Sequence, residues 1–411
     1  MTEPLATNAA GRAGRVAITG IGIVAPGAVG IERFRAMLDA GTTAVTPVDR
    51  FDTEGLSAHT AALVCDFKAR DFIPAMKMRR MNTLSRYAVS AARLAIDDAG
   101  AQPGSESGVA LGTAFGPVQT SVEYMQEYVS KGAALAPPQL FAESVANAPG
   151  SHIAIEFDLR GFNVTMTQRE SSLLAAAMFG SAQIVKRTVP SAIIGGVEEV
   201  NEMVFSVLDR LGALCHAEGE LTERMRPFDR RRNGMTIGEG SAILVADGNP
   251  SRQVYGWLSG FGIARDTTAT ISDWGTGHQQ VAAAMRAAID DAELHVSDID
   301  AIYASANGTK RGDHVELRAI QQLFGDDVPP VVATKGYFGE YSAGSGFHVA
   351  AALLAMRDQK LHASYGFEEG DPELRFTPVR APRAAALRHI LVNSVSAGGG
   401  VVCAVVSREA A

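Results

Sequence analysis

The sequence predicts an α/β protein with mixed, mostly parallel sheets. Two observations carry this. Short β-branched runs of strand length alternate with longer segments of helical period, and they do so through both halves of the chain. The 411 residues, 46% hydrophobic and 20% charged, suffice for a large core built as two domains or one large α/β unit.

Arg15–Val24 (RVAITGIGIV) is a run suited to a strand buried on both faces. Met81–Ala99 has helical spacing: Leu84, Ala88, Ala91, Ala92 and Ile96 share one face, and Gly100 supplies the stop. Val109–Thr113, Ser191–Gly195 and Ala242–Ala246 read as further buried strands. The second half repeats the alternation, with strand Val254–Ala264, helix His278–Ala292, strand Ala301–Ala306 and helix Val315–Phe324. Strand Val331–Thr334, the long helix Gly346–Gln359 and two closing hairpin-like strands, His389–Ser394 and Gly400–Ser407, complete it. A turn signal at Asn249–Pro250–Ser251 divides the chain into 15–250 and 251–411, after a lead-in, 1–14, that reads as disordered.

The formal net charge of −8 argues against a nucleic-acid ligand, which needs clustered cations. The one basic cluster, Arg230–Arg232 with Arg224 and Arg226, is interleaved with Glu223 and Asp229 and reads as a solvated or salt-bridged loop. No apolar run is long enough to span a membrane, and Met1–Arg15 has no apolar signal core. Three widely spaced cysteines (Cys65, Cys215, Cys403) make no disulfide framework, so a cytoplasmic protein is expected. Gly20, Gly22 and Gly27 have the wrong spacing for a dinucleotide loop and read as a strand-end turn. No cofactor and no metal site is implied.

Three segments carry more specific information: Met78–Gly100 (MRRMNTLSRYAVSAARLAIDDAG), Pro227–Gly240 (PFDRRRNGMTIGEG) and Lys335–Gly346 (KGYFGEYSAGSG). Together they resemble the β-ketoacyl synthase family, and the resemblance covers nearly the whole chain after Arg15. It implies a thiolase-like fold of two similar halves packed as an αβαβα sandwich. It also implies one cysteine nucleophile and two histidines that steady a carbonyl oxygen while CO2 leaves and an enolate forms.

All three reactive positions differ here. The nucleophile segment, Asn163–Ala177 (NVTMTQRESSLLAAA), has no cysteine. The register that aligns Ser171, Ser172, Leu173 and Ala175 puts Arg169 at the cysteine position, and a shift of one residue puts Gln168 there. Neither forms a thioester, and a guanidinium is electrostatically misplaced at a helix start, where Glu170 is the favourable charge. Cys215, the one cysteine with an adjacent histidine, His216, falls on a turn that bears no catalyst in the family. Ser171 and Ser172 lack a positioned base and read as helix-start and packing residues.

In Ser305–Glu316 (SANGTKRGDHVE), Asn307 stands where the family has the first histidine, and Glu340 stands for the second. Asn307 retains a donor, whereas an ionised Glu340 opposes a developing negative charge. Arg169 and Glu340 are expected to face each other in the old cavity as a neutralising pair. Asp313, Glu316 and Lys335 match framework residues that brace loops in the family. The family's G-F-G-G-T-N loop is here Ser396–Val401 (SAGGGV), with Ala397 in place of a gating phenylalanine.

A retained frame without its reactive groups resembles the chain length factors, the β subunits of type II polyketide ketosynthases. That resemblance implies a heterodimer with an active ketosynthase α subunit, which performs the condensation, and an acyl carrier protein reached through the complex. It also brings Val118, Ser121 and Met125 to chain-facing positions, with i, i+3, i+7 spacing on one helical face. The same spacing suits ordinary core packing. If they line a tunnel, small Val118 and Ser121 fit a long or slender polyketide such as a polyene. The competing readings are a stand-alone malonyl-carrier-protein decarboxylase or acyltransferase using Asn307, and a subunit that only stabilises its partner.

Overall fold

The computed structural model describes residues 15–252 and 254–409, so the lead-in 1–14 lies outside the described residues. The principal sheet has eleven strands. The first half contributes β1 (Val16–Ala25), β2 (Ala28–Val29), β3 (Gly108–Gly112), β4 (Asn163–Met166), β5 (Ser191–Glu198) and β6 (Gly240–Asp247). The second contributes β7 (Gly256–Arg265), β8 (Ala301–Tyr303), β9 (Val331–Val332), β10 (His389–Val395) and β11 (Gly400–Ser407). The helices that matter below are α1 (Thr83–Ala99), α2 (Val118–Lys131), α3 (Ser172–Val185), α4 (Glu202–Arg210), α5 (His278–Asp291), α6 (Lys310–Phe324) and α7 (Phe347–Asp358).

The strand order is β1-β6-β5-β3-β4 in the first half and β7-β11-β10-β8-β9 in the second, the same connectivity twice. In each half four strands run one way and the last in sequence, β6 or β11, opposes them. The halves join edge to edge where Val16–Ile18 pairs antiparallel with Gly256–Leu258. Three apolar clusters define the layers. One lies between α1 and the first half's sheet, a central one surrounds α3 and α7, and one lies beneath α5 and α6.

The duplication extends to side chains. Gly20 and Gly22 sit in the middle of β1, not in a turn at its end. A Cβ at Gly22 would lie 1.9 Å from Ala91 O, and one at Gly20 would lie 2.2 Å from Ala95 O. Gly262 and Gly260 meet Ala284 O and Ala288 O of α5 in the same way, at 1.9 and 2.4 Å. Asp98 and Asp291 occupy matching places, each accepting a strand amide, from Ile21 and Phe261. The glycines therefore let an alanine-faced helix lie directly on a strand.

Helix α6 begins at Lys310, five residues before the Val315 start that spacing predicted. Its first turn is polar and bears no periodic apolar signal. Asn82 caps α1 by accepting from Ser85 N, and Gly100 ends it in a left-handed conformation.

The basic cluster is salt-bridged, and it ties the halves together. Arg230 pairs with Glu369 at 2.6 Å, Arg231 with Glu368 at 2.6 Å, and Arg232 with Asp371 at 2.7 Å. Within it, the buried Asp229 accepts from Arg231 Nε at 3.0 Å and from the amides of Glu368 and Glu369 at 2.9 and 2.7 Å. Burial alone would raise its pKa. The bonds from Arg231 and the backbone outweigh it and hold the pKa at about 2, below the ordinary 3.8. A carboxylate with a depressed folded-state pKa stabilises the fold fully above its unfolded value and loses that stabilisation as pH falls through the folded one. Denaturant midpoints should therefore fall between pH 3.8 and about 2 more steeply for the wild type than for Asp229→Asn. Parallel curves for the two proteins would remove Asp229 as the source.

Candidate functional site

The two central helices start at one buried polar cluster. Between β4 and α3 the chain makes a tight turn, Arg169–Ser171, in which Arg169 takes φ 48°, a left-handed conformation strained for a residue with a side chain. Before α7, the loop Glu340–Gly346 is left-handed at Tyr341, Ala343, Gly344 and Ser345. The turn and the loop meet through Tyr341, whose hydroxyl donates to Glu170 Oε1 at 2.8 Å and accepts from Arg169 Nη2 at 3.4 Å.

Arg169 and Glu340 do not pair with each other, so the expected neutralising contact is corrected. Arg169 Nε lies 3.7 Å from Glu170 Oε2, and Nη1 donates to Ile271 O, leaving the side chain 30% exposed. Glu340, with no exposure, instead takes Lys335 Nζ at 2.7 Å and Asn307 Nδ2 at 2.7 Å on one oxygen. Its other oxygen accepts from Ser345 Oγ at 2.6 Å and Tyr341 N at 3.0 Å. Each carboxylate thus has its own nearby cation. Lys335, buried at the start of the short helix Lys335–Phe338 five residues earlier, reaches Glu340, whereas the chain turns Arg169 outward.

The two acids differ electrostatically. Burial and the nearby Glu340 push Glu170 up to about 7, against the pull of Arg169. Burial would likewise raise Glu340, but the Lys335 ammonium and the hydrogen bonds around it hold that carboxyl below its ordinary range. Asn307 is buried, with its amide donating to Glu340 and its oxygen accepting from Thr309 Oγ1 at 2.7 Å. One of its two amide N–H groups is thus committed to Glu340, and the other faces the weak acceptor Met235 Sδ at 3.9 Å.

Asp313 accepts the amides of Asn307, Gly308 and Phe228. Glu316 accepts from Ser305 N and Asn393 Nδ2, and Lys335 also reaches Ser305 Oγ at 3.3 Å. Gln168 donates its amide to Ser172 Oγ, and its side chain lies against Gly400. Ser171 and Ser172 bond backbone carbonyls and Ser396. Ser396 joins the loop containing Ala397 to the turn at Arg169, with Gly398 and Gly399 at φ 87° and 85°. Cys215 is buried against Thr236, and burial pushes its thiol up to about 11, far from a reactive thiolate.

Glu170, Tyr341 and His348 belong to this region and were not singled out from sequence. In the sequence Glu170 is a favourable helix-start charge, and its burial depends on a loop some 170 residues away. His348 is fully buried near Lys335 with Nε2 on Asn393 O, and burial and the Lys335 charge drive it down to about 3.

Val118, Ser121 and Met125 come together on one side of α2, lining a groove of about 770 Å³ with Val122, Val129 and Met203. The groove is open to solvent, with Met125 52% and Val129 76% exposed. Ser121 Oγ donates back to Pro117 O at 3.0 Å. Among the described residues no helix is long and apolar enough to cross a membrane.

A duplicated strand order with two central helices starting at a shared site defines the thiolase-like fold class. Residues 13–249 match the β-ketoacyl synthase N-terminal domain and residues 255–368 match its C-terminal domain. The chain belongs to the β-ketoacyl synthase family. It is 29% identical to the tetracenomycin polyketide synthase ketoacyl synthase beta subunit of Streptomyces glaucescens, across 96% of this chain and 98% of the relative. It is 30% identical to a putative polyketide beta-ketoacyl synthase 1 of Streptomyces halstedii, across 95% and 97%. Among solved structures it is similar to the ishigamide ketosynthase/chain length factor, with TM-score 0.86 and 28% identity over 96% of this chain and 99% of that one. The chain thus resembles chain length factors within its family.

Removing one partner of a buried ion pair strands the other charge and costs about 3–5 kcal/mol. Lys335→Met should therefore lose stability on that scale in urea titrations, and adding Glu340→Gln should recover a large part of it. Equal losses for the single and double variants would sink the pairing.

Proposed function

We propose that this chain is a non-condensing subunit of a ketosynthase pair. It associates with an active ketosynthase, and its α2 groove helps set the length of the polyketide that the partner builds. The observation that carries this reading is the closed hydrogen-bond network at the three reactive positions. Arg169, at the left-handed apex of the strand-to-helix turn, is the best match to the missing cysteine. Asn307 and Glu340 spend their polar atoms on each other, on Lys335 and on Thr309. No thiolate and no free donor pair is left for an acyl group or an enolate oxygen.

The family's partner arrangement fits the surface. Val129, Leu135, Phe141, Met203 and Val207 are large apolar side chains left exposed near the groove, an arrangement expected of a protein contact. β4, the outermost strand of the first half, offers an open edge for pairing. The relatives point the same way: one is the beta subunit of a polyketide synthase, and one solved structure is a ketosynthase/chain length factor. An open groove becomes a tunnel when a second surface covers it. The acyl carrier protein is then met through the complex. A stand-alone decarboxylase using Asn307 draws little support from a buried side chain with one N–H on Glu340 and the other against Met235 Sδ.

The test is chain elongation from malonyl-loaded carrier protein by this chain co-expressed with a ketosynthase α subunit, with each subunit also assayed alone. Products from the pair only are expected, and Ser121→Trp should shorten them without breaking the complex. Condensation or decarboxylation by this chain alone would overturn the non-condensing role. Unchanged product length for Ser121→Trp in an intact complex would overturn the groove's part in it.

A further inference from the structure

The groove has two walls, α2 and the first turn of α4, which contributes Met203. Helix α2 is weakly anchored by packing, since Thr120 is its one buried residue. Hydrogen bonds at its entrance add to the packing of Val118 on the core and of Tyr124 on Phe141, and to the Ser121 Oγ–Ser144 O bond, in setting its position. Glu198, the last residue of β5, accepts from Ala114 N at 2.5 Å and Phe115 N at 3.2 Å. Thr113 Oγ1 donates to the same carboxylate at 3.2 Å and accepts from Gly116 N at 3.0 Å. Glu199 Oε1 accepts from Gln119 N, in the first turn of α2, at 3.1 Å. Two residues further on, Asn201 caps α4 by accepting from Val204 N at 3.0 Å.

One six-residue run, Glu198–Met203, therefore grips the start of both walls and supplies part of one. The cost of this arrangement indicates that it is specific. Two adjacent carboxylates are buried, and burial pushes them up to about 8 and 7. Apolar side chains would fill the same space with less penalty, but they could not hold loop and helix amides at a fixed register.

We infer that Glu198 and Glu199 are positioning residues that fix the groove's walls relative to each other, and through them the product length. This rests on the role of the groove proposed above. The test compares product-length profiles of the wild type, Glu199→Leu, Glu199→Gln, Thr113→Val and Ser121→Trp, each co-purified with the partner ketosynthase that gives products with the wild-type chain. Glu199→Leu and Thr113→Val should displace the wild-type product from dominance. Glu199→Gln, which keeps an acceptor for Gln119 N, should restore it, a rescue that general loss of stability would not give. If Glu199→Leu fails to co-purify, Thr113→Val, which trades a hydroxyl for a methyl of similar size, decides alone. Wild-type profiles from these variants while Ser121→Trp shifts length would overturn the inference and leave the groove reading standing. No shift from Ser121→Trp either, in an intact complex, would overturn both.

Discussion

Glu340 carries a carboxylate into a place without water, and the surrounding structure is organised to satisfy it. An isolated charge in such a place is prohibitive, so each oxygen needs donors. Lys335, Asn307, Ser345 and the Tyr341 amide supply them. The donors belong to two segments, so the carboxylate joins the loop after β8 to the loop before α7. It also holds the second loop in a run of left-handed residues, each costing about 1–3 kcal/mol when it is not glycine. That conformation aims Tyr341 at the start of α3, where its hydroxyl sits between Arg169 and Glu170. The ring packs edge-on against Phe115, with centroids 4.7 Å apart, in the loop that leads into the groove helix.

The same interaction separates structure from chemistry. A condensing site needs unsatisfied donors aimed at a place where negative charge will develop. Here a negative charge is built in at Glu340, and Lys335, Asn307, Ser345 and the Tyr341 amide all donate to it. The turn at Arg169 retains the backbone shape that would expose a nucleophile, but it presents a guanidinium that bonds outward to Ile271 O.

The layers were legible because they depend on local pattern. β-branched runs, alanine-faced helices and the stop at Gly100 gave most elements to within a few residues. The family segments supplied the duplicated connectivity that periodicity could not. What escaped depends on distant partners. Gly20 and Gly22 look like a turn until Ala91 and Ala95 are brought against them, and the matching pair at Gly260 and Gly262 becomes intelligible when the second half is laid on the first. The proposed Arg169–Glu340 contact failed for a related reason. Opposite charges at two lost positions suggest a pair, but the nearer cation, Lys335, took the acid first. Glu198 and Glu199 give little signal because their partners are backbone amides, which every sequence contains, and one distant hydroxyl, Thr113 Oγ1.

Duplication also explains why the two sides of the cluster depend on each other. The turn before α3 and the loop before α7 occupy equivalent places in the two halves, and they meet through Tyr341 and Glu170. A change on one side is felt on the other at hydrogen-bond distance. Glu170 from the first half is tolerable because Tyr341 from the second donates to it and Arg169 sits beside it. Glu340 from the second is tolerable because Lys335 neutralises it, leaving Arg169 free to serve Glu170. Burial, with a smaller contribution from the Glu340 charge, raises the pKa of Glu170, and a nearby cation beside each acid offsets that cost. The cluster is therefore a mutually dependent set of four ionisable groups, two from each half, held together by hydrogen bonds and ion pairs across them.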